Sequence, residues 1–184
     1  MGQPLPNPQD RRVLRTRRAL REALVDLLAE RGWDGFTVQD ICDRADVGRS
    51  TFYLHFADKE ELVGGSLEDL GRVLRAHAAG TGRPLAFTYG LIEHALDQRR
   101  LFLVVVGKES GHVVQRKFRA MVLQLVGEDR AASQPAGPHR DAVVAFLAGA
   151  LLEFLAWALE SRTPLTAAEL DAMFHRLAGS LLAA

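Results

Sequence analysis

The stretch Phe36-Thr37-Val38-Gln39-Asp40-Ile41-Cys42-Asp43-Arg44-Ala45-Asp46-Val47-Gly48-Arg49-Ser50-Thr51-Phe52-Tyr53-Leu54-His55-Phe56 decides the fold. Thr37 is a good helix N-cap, and Asp40 three residues later suits the positive end of a helix. Val38, Ile41, Cys42 and Ala45 then mark one apolar helical face. Asp46-Val47-Gly48 interrupts that helix, and a short helix over 49–56 follows. Phe52 and Phe56 are one turn apart and point inward with Val47. Arg49, Ser50, Thr51, Tyr53, Leu54 and His55 are left outward. A scaffold helix, a tight turn and a second helix make a helix-turn-helix, and a major groove about 12 Å wide admits one helix. A fork donor, two hydroxyls, a phenol, an apolar contact and an imidazole suit phosphate anchoring together with base-edge reading.

Upstream, Leu20, Ala23, Leu24, Leu27 and Leu28 form one stripe of a helix over 11–31, which Gly32 stops. Trp33 and Phe36 anchor the connection. Residues 1–8 contain three prolines and read as a flexible arm. Between Asp10 and Arg21 stand six arginines and one aspartate, a local +5 in a chain whose 23 basic and 23 acidic residues cancel. Downstream, Asp58 and Glu61 open a further helix with the apolar stripe Leu62, Val63, Leu67, Leu70, Val73 and Leu74. Gly64 and Gly65 stand inside it, and 80–84 ends it.

The remainder also reads as helical, over 85–97, 100–107, 112–126, 139–161 and 166–183, with a loop over 127–138. Thr166 and Glu169 form a capping box. Of 184 residues, 48% are hydrophobic and 25% charged, which is globular rather than disordered. The single cysteine, Cys42, excludes an intramolecular disulfide and reads as core. The apolar stretch 143–159 is short for a membrane span and contains Glu153. No secretory leader is visible in residues 1–10. The expectation is a cytoplasmic protein with no membrane partner.

The segments Phe36 to Cys42, then Ala45, Val47, Thr51-Phe52-Tyr53-Leu54-His55-Phe56 and Lys59-Glu60-Glu61-Leu62 resemble the TetR family of bacterial transcriptional regulators. The likeness covers 15–63. It implies an all-α fold in which an N-terminal three-helix helix-turn-helix module joins a C-terminal helical ligand-binding and dimerisation domain. The corresponding divisions are an arm over 1–10, the module over 11–57, a linking helix over 58–83 and the effector domain over 84–184. The resemblance makes Tyr53 and Lys59 contacts to the DNA backbone and brings Thr37 near a phosphate. Arg49, Ser50, Thr51, Leu54 and His55 would meet bases or backbone, with Gln39 a further candidate. The basic N-terminus would lie along the duplex or enter a minor groove. Two positions depart from the family's usual pattern: Asp46 stands for glycine and Gly48 for serine or threonine. Aspartate tolerates a left-handed turn and glycine an N-cap, so the geometry survives.

The same resemblance implies a homodimer on a near-palindromic operator, most commonly repressing, and a small-molecule effector. Phe146, Gly149, Leu152, Leu170 and Phe174 are candidates for the dimer interface. Phe87, Tyr89, His94, Phe102, Phe118, Met121 and Trp157 are candidates for a pocket, whose apolar character would select a lipophilic ligand. An enzyme is not expected. No nucleophile elbow, phosphate loop or dinucleotide fingerprint is present, and the chain calls for no cofactor or metal. Glu109 and His112 have the Glu-x-x-His spacing of di-iron bundles, but such sites need a second copy and further carboxylates. The alternative is a helical protein-interaction module without DNA binding. It accounts for the apolar C-terminal helices but not for outward Arg49, Tyr53, His55 and Lys59.

Overall fold

The computed structural model describes residues 8–106, 111–131, 135–161 and 164–182. The chain divides into two compact units, Met1–Ser66 and Leu67–Ala184. The boundary falls inside the helix that the sequence assigns as a linker over 58–83.

The first unit begins with α1, Pro8–Arg31. It starts three residues before the helix expected over 11–31, because proline is favoured in the first turn of a helix. The arm expected over 1–10 is therefore helical from Pro8, and the rest of it lies outside the described residues. Leu20, Ala23, Leu24, Leu27 and Leu28 are all buried, as their spacing predicts. Gly32, at φ 66°, turns the chain into a 3-10 turn over Trp33–Gly35. α2, Val38–Ala45, opens on a complete capping box between Thr37 and Asp40 and ends on Asp46 in the left-handed conformation. α3, Arg49–Tyr53, is shorter than the pattern suggests, and His55 and Phe56 bond back to the oxygen of Phe52. α4, Lys59–Ala78, is capped by Asp58, which accepts from the Glu61 amide at 2.8 Å.

Ile41, Cys42, Phe52, Phe56, Leu62 and Val63 close the core of this unit together with Trp33 and Phe36. Each such side chain contributes on the order of 1.5–3 kcal/mol when fully buried. Arg44 forks onto Glu30 at 3.0 and 2.8 Å, which ties α2 to α1.

The second unit holds the rest of α4 with α5 (Phe87–Asp97), α6 (Arg99–Val106), α7 (Gly111–Ala131), α8 (Pro138–Glu160) and α9 (Ala167–Leu182). No strand occurs among the described residues. α8 packs on α6 and α7, and α9 on α5 and α8. The loop expected over 127–138 is a correction: α7 continues through Gly127 to Ala131. A lone glycine weakens a helix by only about 1 kcal/mol. Here Val122, Leu125, Val126 and Arg130 are buried along the same helix, and that packing outweighs the glycine. Leu85 enters α5 at φ 51° yet is fully buried, its amide donating to Asp129 Oδ1 at 2.8 Å.

α8 is 23 residues long and, by length and composition alone, could cross a membrane. It is longer than the apolar stretch read from the sequence. Val143, Leu147, Ala148, Leu151, Leu155 and Leu159 form its buried stripe within the unit.

Candidate nucleic-acid interface

Two turns of local geometry present α3. Asp46 adopts φ 51° and ψ 48°, and its amide bonds back to Asp43 and Cys42. That turn releases the chain into Val47-Gly48, and Gly48 caps α3 without a side-chain bond. Phe52 is completely buried and packs edge-on against Tyr53 and tilted against Phe56. Its burial fixes the rotation of α3. Tyr53 and Leu54 are consequently 48% and 81% exposed, and Arg49 and Ser50 are exposed with them. Thr51 and His55 are half-buried at the edges of this face.

The Arg49 guanidinium lies over the Tyr53 ring at 5.7 Å, and its Nη2 donates to the phenol oxygen at 3.4 Å. With that oxygen accepting, the phenol proton is free to point away from the protein. Together the two side chains present a cation and a hydroxyl donor one turn apart.

The other expected contacts are differently engaged. Thr37 Oγ1 donates to Asp40 Oδ2 at 2.5 Å and accepts from the Asp40 amide, so its hydroxyl serves the cap. Hydrogen bonds from Thr37, with a smaller contribution from Arg31, hold the Asp40 carboxyl below the usual carboxylate range. Gln39 is exposed and donates to Asp43 at 2.7 Å.

Lys59 is held by the module itself. Its Nζ donates to the main-chain oxygens of Trp33 at 2.8 Å and Phe36 at 3.0 Å, beneath their rings at 4.3 and 4.9 Å. The ammonium is turned into the module, and burial pushes its pKa below the ordinary lysine range. The basic run 11–21 lies on α1, within the helix expected over 11–31. Arg17 covers the Phe56 ring at 5.3 Å, and Arg18 pairs with Glu22 at 2.7 Å. The sequence signals the charge of Arg17 but not its aromatic partner.

Residues 20–64 match the family model described as bacterial regulatory proteins, tetR family. A TetR transcriptional regulator from Streptococcus agalactiae has the same fold with a TM-score of 0.68 and 25% identity, over 92% of this chain and 96% of its own. The match to the TetR family thus covers the helix-turn-helix module, and the whole chain shares the fold of a TetR regulator. Among curated relatives, the uncharacterized HTH-type transcriptional regulator YxbF of Bacillus subtilis is 39% identical over 88 residues, 47% of this chain and 23% of that protein. The HTH-type transcriptional repressor Rv3405c of Mycobacterium tuberculosis is 35% identical over 119 residues, 58% of each chain. The chain thus spans about a quarter and somewhat over half of the lengths of these two relatives. The regulator FadR of Bacillus subtilis, solved with stearoyl-CoA, shares the fold with a TM-score of 0.62 and 16% identity, over 90% of this chain and 97% of its own.

The second unit has an open cleft of about 670 Å³ among α6, α7 and α8. Val105 and Val106 line it from α6, and Leu152, Glu153 and Ala156 from α8. α7 contributes Phe118 between His112, Gln115, Arg116 and Arg119. Of the pocket candidates, Phe118 alone lines this cleft. Phe87, Phe102 and Met121 are packed into the core. His94 lies edge-on to Phe102, and burial lowers its pKa. Tyr89 and Trp157 are exposed, and the Tyr89 hydroxyl donates to Glu93 at 3.1 Å.

The dimer candidates also separate. Phe146 is 64% exposed, and Gly149 is half-buried with open space where a Cβ would stand. Leu152 belongs to the cleft, while Leu170 and Phe174 are buried inside the unit, Phe174 against Phe154. The inward face of α9 holds the fold itself, so those two residues are not a free surface. Among the described residues no cluster of metal-ligating side chains occurs, and Glu109 lies outside them.

Proposed function

We propose that this chain is a sequence-specific DNA-binding transcriptional regulator that works as a homodimer. The observation that carries this reading is the exposed α3 face: buried Phe52 sets its rotation, and Arg49, Ser50, Tyr53 and Leu54 project from it. α3 is one short helix and reads one half-site, so a pair of copies is needed for an operator with two. The exposed apolar side chains of α8, Phe146 and Trp157, supply a surface that a second copy would bury. Binding represses transcription, in line with the repressor named among the relatives. A small molecule with a large apolar surface, held in the second unit, releases the operator. The cleft's volume is within the range of small-molecule sites.

The deciding experiment is selection of operator sequences from random duplexes, followed by gel shift on the selected site at physiological salt. A near-palindromic consensus bound by two copies supports the reading. Binding without sequence preference refutes it and favours a protein-interaction module.

A further inference from the structure

The walls of the α6–α7–α8 cleft carry information about its ligand's headgroup, resting on the reading of the second unit as an effector-binding domain. Five other arginines of this unit reach an acceptor, among them Arg72, which meets Asp69 at 2.5 Å. Arg75 forks onto Glu128, Arg83 meets Asp171 at 2.8 Å, Arg99 binds the oxygen of Leu159, and Arg130 meets Asp129 at 2.9 Å. Arg116 and Arg119 have none among the described residues, like Arg100, Arg140 and Arg176, but of these five only Arg116 and Arg119 line the cleft. Both are exposed on the lining of the cleft, and no ion pair or hydrogen bond engages either among the described residues. They stand three residues apart on α7, so the two like charges occupy one face of the helix and repel each other. His112 adds a third basic group one turn earlier. The one acid in the lining is Glu153, which makes no salt bridge to either arginine. The rest of the lining is apolar apart from Gln115, through Val105, Val106, Phe118, Leu152 and Ala156.

We propose that the cleft binds an amphipathic organic anion, a carboxylate on an aliphatic chain. The planar guanidinium fork matches a carboxylate's two oxygens, and an anion between Arg116 and Arg119 relieves their mutual repulsion. The chain covers the apolar wall and gains from leaving water. A neutral headgroup leaves both forks without a charged partner. A cationic one is repelled.

Three probes with one tail isolate the headgroup: decanoate, 1-decanol and decyltrimethylammonium, each titrated into the full chain by calorimetry. Decanoate should bind about tenfold or more tightly than the alcohol, the ratio expected for a charge-assisted hydrogen bond. The cation should not bind. Arg116→Gln/Arg119→Gln should remove the preference while leaving alcohol binding intact, and Arg119→Lys should restore part of it. Leu152→Trp should block both ligands. Circular dichroism verifies that each variant is folded.

Equal binding of acid and alcohol overturns the proposal, as does no binding of decanoate or a preference that survives in the double variant. Dissociation of the dimer in the double variant, with decanoate binding unchanged, reassigns the arginines to the subunit interface. Operator release separates this proposal from the reading beneath it. Arginine-dependent decanoate binding without loss of operator affinity refutes the effector reading and leaves the anion site standing. Release by alcohol and acid alike leaves the effector reading standing and refutes the anion site.

Discussion

Lys59 Nζ lies 2.8 Å from the main-chain oxygen of Trp33 and 4.3 Å from the centre of the indole ring of the same residue. One ammonium thus satisfies a carbonyl of the 3-10 turn that follows α1 and sits on the aromatic face that shields it. Lys59→Met keeps the apolar stem but strands two carbonyls. The expected loss is about 1.5–3 kcal/mol of stability, the range for hydrogen bonds to a charged group. Denaturant unfolding measures it. The salt dependence of DNA binding should stay unchanged. A slope reduced by about one, with stability intact, would return Lys59 to the phosphates.

Arg49 and Tyr53 should divide the labour of recognition. Tyr53→Phe removes one hydroxyl donor and should weaken operator and non-operator DNA alike, by about 0.5–1.5 kcal/mol. Arg49→Ala should cost about 1–3 kcal/mol at one base position if its fork meets a guanine. Binding titrations on single-base operator variants distinguish the two patterns. Because Arg49 also contacts Tyr53, the double variant should lose less than the sum of the singles.

Phe146 is the test of the dimer. Its side chain is 64% exposed on a helix whose opposite stripe is buried, so Phe146→Lys should leave the protomer folded. Burying an unpaired lysine in a subunit interface costs several kcal/mol, and analytical ultracentrifugation should find monomers. A stable dimer would move the interface away from this face.

Gly65 stands one residue before the boundary residue Ser66. A Cβ placed there would meet Arg21 Nη2 at 3.6 Å and Phe56 Cε1 at 3.8 Å, both ordinary contacts. Close packing therefore does not require glycine at this position. Gly65→Ala should raise stability by about 0.5–1 kcal/mol through helix propensity alone. If flexibility here serves signal transfer, the more stable variant should release its operator less readily when ligand binds. Thermal unfolding and operator titrations with and without ligand measure the two effects. A destabilised variant would contradict the spacing.

Glu128 should contribute to the acid limit of stability. Its hydrogen bonds from Arg75, with a smaller one from Gln124, hold its carboxyl below the ordinary glutamate range. A lowered folded-state pKa stabilises above the ordinary range and is lost as pH falls through the folded value. Both partners are more than a third exposed, so the contribution is about 0.2–1 kcal/mol. Glu128→Gln should lower stability near neutrality and lose less on acidification than the parent, in denaturant melts from pH 7 to pH 3.

The parts legible in the sequence are those whose causes lie within one or two helical turns. Thr37 with Asp40 and Thr166 with Glu169 form their boxes as the spacing of three requires. Phe52 and Phe56 announce the inward face of α3, and the leucines of α1 announce its stripe. Where the partner is distant, periodicity is silent. The Lys59 charge reads the same on a solvated surface as beneath Trp33, which lies 26 positions away. Gly127 has the local signature of a turn and is overruled by α8 packed against its helix. Leu170 and Phe174 have the apolar spacing of an interface, but that spacing cannot say whether the covering surface comes from the same chain or another.

The buried carboxylate of Asp171 has a consequence for how the protein is made. It receives Thr88 Oγ1 at 2.5 Å and Arg83 Nη2 at 2.8 Å, across 83 and 88 positions of chain. α9 also packs along α5. Those partners are synthesised long before α9 leaves the ribosome. In the first unit Lys59 reaches Trp33 across 26 positions and Arg17 covers Phe56, both partners lying within that unit, so its core can close while the remainder is still being translated. Nascent chains stalled ahead of α9 would then carry a finished reading head on an unfinished second unit. Thr88 and Arg83 would remain without their acceptor until the final helix arrives.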